Sequence, residues 1–227
     1  MNPAPRRHDL LRVAPDAWAS ALAAAALDLP AGAAATVAGW AGRGWPVVRR
    51  RRLGGEPPDA LPVGVPLPPS LGKLRVALLL PPDTGWCPVP PPGLADLRPA
   101  APASWHPVLD GLSALGTALG VRPRPFGSAL WGAVTGLPYL GPGSDLDLLW
   151  PVTEATALDA LLDGLARLAA AGPVTLDGEI LLPDGAGVQW RELLGARRGR
   201  GGTVLAKTAE GLSLRPARRP WAPADGP

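Results

Sequence analysis

The chain has 227 residues, of which 47% are hydrophobic and 18% charged, and its formal net charge is +3. That length allows one large or two small domains with buried cores, and the composition excludes a disordered chain. So small a charge without a basic stripe argues against a nucleic-acid partner, and a single cysteine, Cys87, excludes an intrachain disulfide framework or a cysteine zinc site.

Basic residues and an Ala-rich stretch open the chain, but Asp9, Arg12, Asp16, Asp28 and Pro30 interrupt any secretion-signal pattern. No apolar run approaches the ~18 residues of a membrane span. The expectation is a cytoplasmic protein with no membrane association. Asp16 is placed to cap a helix through Leu27, ended by Pro30. Two strand-like runs follow, PVVRRRRL (46–53) and KLRVALLL (73–80), separated by EPPDALPVGVPLPPSLG. Residues 81–102 are Pro-rich with little apolar periodicity, which reads as a linker closing an N-terminal α+β module over 1–100.

A second domain is expected over 101–214. Leu109, Leu112, Leu115 and Leu119 share one face of a predicted helix over 105–119. The strand VRPRPF leads into Gly127-Ser128, a short helix over 129–135 and the strand DLDLLW. Thr153 is placed to cap the next helix, with Leu158, Leu161, Leu162, Leu165 and Leu168 on one face and Gly172-Pro173 as its stop. VTLDGEILL and GVQWREL form a predicted hairpin around Pro183-Asp184-Gly185, and TVLAKT adds a last strand. From Arg215 to Pro227 a basic, Pro-rich tail is expected to be loose.

Within DLDLLW, residues two apart point to one face, so Asp145 and Asp147 project together while Leu146 and Leu148 pack behind. Two such carboxylates repel unless a cation lies between them. Magnesium suits hard oxygen ligands and recruits substrate phosphates. The plain alternative is a pair facing water on an edge strand. Gly127-Ser128 adds a backbone turn into a helix, where N–H groups face an anion, glycine allows close approach, and Ser128 is placed to cap the helix or to bind a phosphate oxygen. On VTLDGEILL, Asp177 and Glu179 share a face, and either completes a carboxylate metal site, with Glu192 a weaker third choice.

RPRPFGSALWGAVTGLPYLGPGSDLDLLW, LDGEILLPDGAGVQWREL and VLAKT, with HDLLRV and PVVRRR nearer the start, resemble the malonate decarboxylase holo-acyl-carrier-protein synthases. These are phosphoribosyl-dephospho-CoA transferases of the polymerase-beta-type nucleotidyltransferase superfamily. The resemblance implies an α+β fold, with a small N-terminal module followed by a polymerase-beta-like domain whose mixed sheet is flanked by helices. It also implies that Gly127 and Ser128 hold a triphosphate, that Asp145 and Asp147 are magnesium ligands, and that Asp177 or Glu179 is the third acid. The implied donor is triphosphoribosyl-dephospho-CoA. The implied acceptor is a serine of the acyl-carrier subunit of malonate decarboxylase, with diphosphate released. Trp131-Gly132 departs from the family's Trp-Gln.

Arg122 and Arg124 alternate ahead of the Gly-Ser pair and are candidates for phosphate contact, as is Lys207. Arg49 to Arg52 could meet the donor's diphosphate or an acidic carrier, or form a solvated face. His8 and His106 lack the spacing of a triad or zinc site, and Trp131, Trp150 and Trp190 read as core. Two other functions fit the residues alone: a nucleotidyltransferase with another hydroxyl acceptor, and a catalytically silent carrier-binding module.

Overall fold

Prolines and arginines shape the first part of the chain in ways that hide its strands. A computed structural model describes residues 4–25, 27–199 and 202–221. Its contacts divide the chain into two units, Met1–Pro91 with Leu137–Tyr139, and Pro92–Gly136 with Leu140–Pro227. The class is α+β, as expected: a small N-terminal module with its own sheet, then a domain of sheet and helices.

The first unit begins with β1 (Leu10–Val13), then α1 (Pro15–Ala25) and α2 (Ala31–Ala38). Pro15 rather than Asp16 opens α1, since proline's fixed φ suits the first helical position, and Asp16 sits in the first turn. The expected end at Leu27 runs through Ala26, which lies outside the described residues. Three further strands, β2 (Val47–Arg49), β3 (Leu61–Pro66) and β4 (Arg75–Leu80), precede β5 (Trp86–Val89). They form an antiparallel sheet of order β4-β3-β2-β1-β5. Two of them correct the sequence reading: β3 lies in the expected spacer and β5 in the expected linker. Pro62 and Pro66 of β3 stand outside its short β2 pairing at Val63 and Gly64, where no N–H is required of them. Trp18 donates through Nε1 to the Val37 carbonyl at 2.8 Å, and Trp40 to that of Pro46 at 2.8 Å, so both indoles are buried with their polar atoms satisfied.

The arginine run is a clamp. Arg49, only 4% exposed, donates to the carbonyls of Arg50 and Pro62. Arg50 reaches the Val63 carbonyl at 3.0 Å and pairs with Glu56, while Arg52 donates to the carbonyls of Pro57, Pro58 and Ala60. Glu56 in turn accepts from the Leu53 N–H at 2.8 Å. Arg49 and Arg50 therefore hold carbonyls of β3 and Arg52 those of the 57–60 segment, so the run is not simply a solvated face, one of its two readings; Arg51 is exposed.

In the second unit α3 (His106–Ala118) leads to β6 (Arg124–Phe126), α4 (Gly127–Thr135), β7 (Leu146–Pro151) and α5 (Leu158–Ala171). The chain continues through β8 (Leu176–Leu181), β9 (Gly187–Gln189), α6 (Trp190–Arg198), β10 (Thr203–Lys207) and β11 (Leu212–Pro216). The sheet order is β11-β10-β9-β8-β7-β6, with β7 and β8 parallel and the other pairings antiparallel. A βαβ crossover through α5 explains that one parallel pair. Leu146, Leu148, Trp150, Leu176, Ile180, Val188, Val204 and Ala206 face one way, onto a core shared with α3, α5 and α6. Trp131, Trp150 and Trp190 are buried, as expected.

Four expectations are corrected here. Thr153 does not cap α5: its N–H donates to Thr156 Oγ1 at 3.0 Å in a separate turn, and Ala157 is the N-cap. Ser128 does not cap α4, which begins at Gly127 behind Phe126. WREL is helical, because Gln189 accepts the Glu192 N–H at 2.9 Å and ends β9 there. Arg215 and Pro216, expected in a loose tail, close β11, and Ala217 behind them is fully buried. Residues 222–227 of that tail lie outside the described residues. Among the described residues no helix is long and apolar enough to cross a membrane.

Two stability predictions follow from these elements. Gly178 on β8 has φ 138°, and a Cβ there would stand 1.9 Å from the Leu148 carbonyl oxygen; Gly178→Ala is expected to cost about 3 kcal/mol in chemical denaturation. The hydrogen bond from Arg50 holds the Glu56 carboxyl below its ordinary pKa. Its stabilisation is therefore present at neutral pH and lost as pH falls through the folded-state pKa. Glu56→Gln should lower Tm at pH 7, and the difference from the parent should shrink in the acid range.

Candidate active site

The face of the second sheet turned away from the core carries the site. Phe126 is opposite Asp147 in the β6–β7 ladder, and Asp147 is opposite Asp177 in the parallel β7–β8 ladder. Directly opposed residues share a face. Asp147 and Asp177 are thus set side by side by register alone, and Asp145, just before β7, joins them. One carboxylate oxygen from each of Asp145, Asp147 and Asp177 lies within 4.8 Å of the other two, and all three side chains are partly buried. Hard, anionic oxygens this close fit a small divalent cation, whose charge would relieve their repulsion.

Gly127 presses against this group. Its φ of 66° turns the chain from β6 into α4, and a Cβ there would stand 2.0 Å from Asp147 Oδ2. Any side chain would occupy the carboxylate's own space. Ser128 follows in the first turn of α4, partly buried. The loop entering β7 is held by Ser144, whose hydroxyl accepts the Gly141 N–H at 2.9 Å.

Of the three acids left open by alternation, Asp177 is the one that joins the cluster. Its Oδ1 accepts from the Gly178 N–H at 2.8 Å and from Gln189 Nε2 at 3.0 Å. Glu179 lies on the same face but outside the cluster, 7% exposed and 3.7 Å from Lys207 Nζ. Glu192 is committed elsewhere: its Oε1 accepts the Leu205 N–H at 2.8 Å. Arg124 is partly buried opposite Leu149, on the face of Phe126 and Asp147, while Arg122 precedes β6 and is exposed. Lys207 keeps 36% of its side chain exposed on β10. His106 lies against the Arg98 carbonyl, remote from these residues in its bonding.

Gln189 is the residue that sequence reasoning missed. Its signal is Gln-Trp-Arg-Glu, a polar residue three before an acid at a helix start, which the strand expectation for GVQWREL hides.

The phosphoribosyl-dephospho-CoA transferase MdcG C-terminal domain family matches residues 93–218, and the MdcG N-terminal domain family matches residues 6–84. A phosphoribosyl-dephospho-CoA transferase of Bradyrhizobium diazoefficiens is 39% identical over 92% of this chain and 89% of its own. One from Xanthomonas campestris pv. campestris strain 8004 is 39% identical over 92% of this chain and 93% of its own. Another, from Xanthomonas euvesicatoria pv. vesicatoria, is 39% identical over 78% and 81%. No solved structure matches the chain.

The cluster predicts a cation response. Magnesium at a hundredfold its Kd should stabilise the protein by about 2.7 kcal/mol, read as a rise in Tm. Asp145→Asn should blunt that rise while leaving the metal-free Tm no lower than the parent's, since one of three repelling charges is gone.

Proposed function

This chain belongs to the phosphoribosyl-dephospho-CoA transferase MdcG family and is a transferase, and on that premise we propose how its residues divide the reaction. The group transferred is 2′-(5″-phosphoribosyl)-3′-dephospho-CoA, its donor the corresponding triphosphate. The acceptor is a serine of the malonate decarboxylase acyl-carrier subunit. The serine hydroxyl gives up its proton to water as its oxygen bonds to the α-phosphorus, the bond to diphosphate breaks, and a phosphodiester remains.

The observation that carries this reading is the triad of carboxylate oxygens within 4.8 Å, beside a glycine turn that no side chain could occupy. Asp145, Asp147 and Asp177 would hold magnesium. A bound magnesium ion supplies charge neutralisation for the phosphates and lowers the pKa of the attacking hydroxyl. Gly127 and Ser128 present backbone and hydroxyl to the triphosphate at the first turn of α4. Arg124 approaches the phosphates from the cluster's own face, and Arg122 from the segment before it. Lys207 contributes a cation held by Glu179, so that Glu179 positions a phosphate contact and is not a ligand. Chemistry of this kind needs alignment and electrostatic neutralisation more than covalent help.

Incubating the protein with the apo carrier, the triphosphoribosyl donor and magnesium should add the prosthetic-group mass to the carrier. Asp145→Ala and Asp147→Ala should each slow that by about 10²- to 10³-fold or more. Modification by ATP at equal efficiency would instead assign a general nucleotidyltransferase, and carrier binding with no mass change under any donor would assign a binding module.

A further inference from the structure

We infer that Gln189 is a positioning residue for the metal cluster: a strut that ties the orientation of Asp177 to the first turn of α6. The inference rests on the metal-site reading above and adds a residue that the reading does not use.

The geometry defines both ends of the Gln189 carboxamide. The Glu192 N–H can only donate, so the atom 2.9 Å from it must be the acceptor Oε1. That assignment turns Nε2 toward Asp177 Oδ1 at 3.0 Å, where an ionised carboxylate can only accept. A flipped amide would oppose oxygen to oxygen and nitrogen to N–H at once. Both contacts therefore lock a single rotamer. Register explains why Gln189 reaches so far: it is opposite Glu179 in the β8–β9 ladder, which puts its side chain on the face that carries Asp177.

The consequence falls on Asp177. Its Oδ1 takes hydrogen bonds from Gln189 and from the Gly178 N–H at 2.8 Å, and these use both lone pairs of that oxygen. Oδ2 is left for a cation. The donor's neutrality matters as well. An arginine or lysine in place of Gln189 would orient the carboxylate equally well but would cancel its charge and repel the metal. A carboxamide orients the ligand and leaves its charge intact. Outer-shell groups of this kind set metal affinity by about 10- to 100-fold.

Two substitutions separate the strut from the helix cap. Gln189→Ser places a preferred capping residue at the start of α6 but is too short to reach Asp177. Gln189→Met removes both contacts. Manganese binding to the full chain, without donor, is read from the EPR signal of the unbound aqueous ion, alongside Tm. The expected result for Gln189→Ser is a Tm within about 2 °C of the parent's, since the cap is kept, with the manganese Kd raised about tenfold. The zero-field splitting of the bound ion should also change. Gln189→Met should lose both affinity and Tm. Parental manganese affinity and an unchanged spectrum in Gln189→Ser would overturn the strut while leaving the metal site standing. A loss of affinity in Gln189→Ser accompanied by a fall in Tm as large as that of Gln189→Met would reduce Gln189 to a structural cap, and also overturn it. Absence of manganese binding by the parent chain would take down the metal site and the strut together.

Discussion

Three carboxylates held within 4.8 Å of one another are electrostatically unfavourable, and the second sheet is built so that their approach cannot be avoided. Asp147 and Asp177 are not brought together by flexible side chains finding each other. They are opposite residues of a parallel ladder, and a one-residue slip of that ladder would turn one of them into the core. Leu146, Leu148 and Trp150 on β7 and Leu176 and Ile180 on β8 forbid the slip, because each is almost completely buried on the other face. Core packing therefore enforces the repulsion. The proposed metal is what makes that arrangement useful, and the hydrophobic register is what makes it permanent.

The surroundings of the cluster distribute charge rather than simply cancel it. Asp177 is oriented by a backbone N–H and a neutral amide, neither of which carries charge. Lys207, on the same sheet face, pairs with Glu179 at 3.7 Å, a contact that offsets the burial of that acid. Cationic groups thus stand beside the cluster, while the aspartates keep the charge a cation requires. Arginines farther off serve structure: Arg197 forks onto Asp159 and onto the carbonyls of Ala217 and Arg218, so the segment after β11 is fastened to α5 and α6. In the first unit likewise, the guanidinium groups of Arg49, Arg50 and Arg52 satisfy carbonyls of β3 and of the 57–60 segment.

Legibility followed the length and regularity of each pattern. The helices with a leucine every third or fourth residue, α3 and α5, were readable from 109–119 and 158–168, and so were the strands carrying Asp147 and Asp177. Strands of three to six residues without alternation were not: β1 is buried at three of its four positions, and β3 and β5 contain the prolines that mark loops elsewhere. Helix caps misled for a related reason. Thr153 and Ser128 have the chemistry of a cap, but their hydroxyl positions relative to the first turn depend on where the preceding strand stops. At the site, spacing could establish that Asp145 and Asp147 go together. It could not choose between Asp177 and Glu179, which share a face; only the register with β7 and the partner Lys207 distinguish them.

That choice is reinforced by backbone, not by side chains alone. Each of the two opposed aspartates has a glycine whose missing Cβ leaves it room or a donor. Gly127 stands where a Cβ would come within 2.0 Å of Asp147 Oδ2, so the turn into α4 can close directly over the carboxylate. Gly178 takes φ 138°, which an L side chain rarely adopts, and this directs its N–H to the Oδ1 of the aspartate just before it. The same conformation brings β8 so near β7 that a Cβ would meet the Leu148 carbonyl at 1.9 Å. A carboxylate on an ordinary strand would be free to rotate away from its neighbours. Here one aspartate abuts the turn at Gly127 and the other accepts from the strand's own backbone, so packing and hydrogen bonding both oppose rotation of these two away from the cluster.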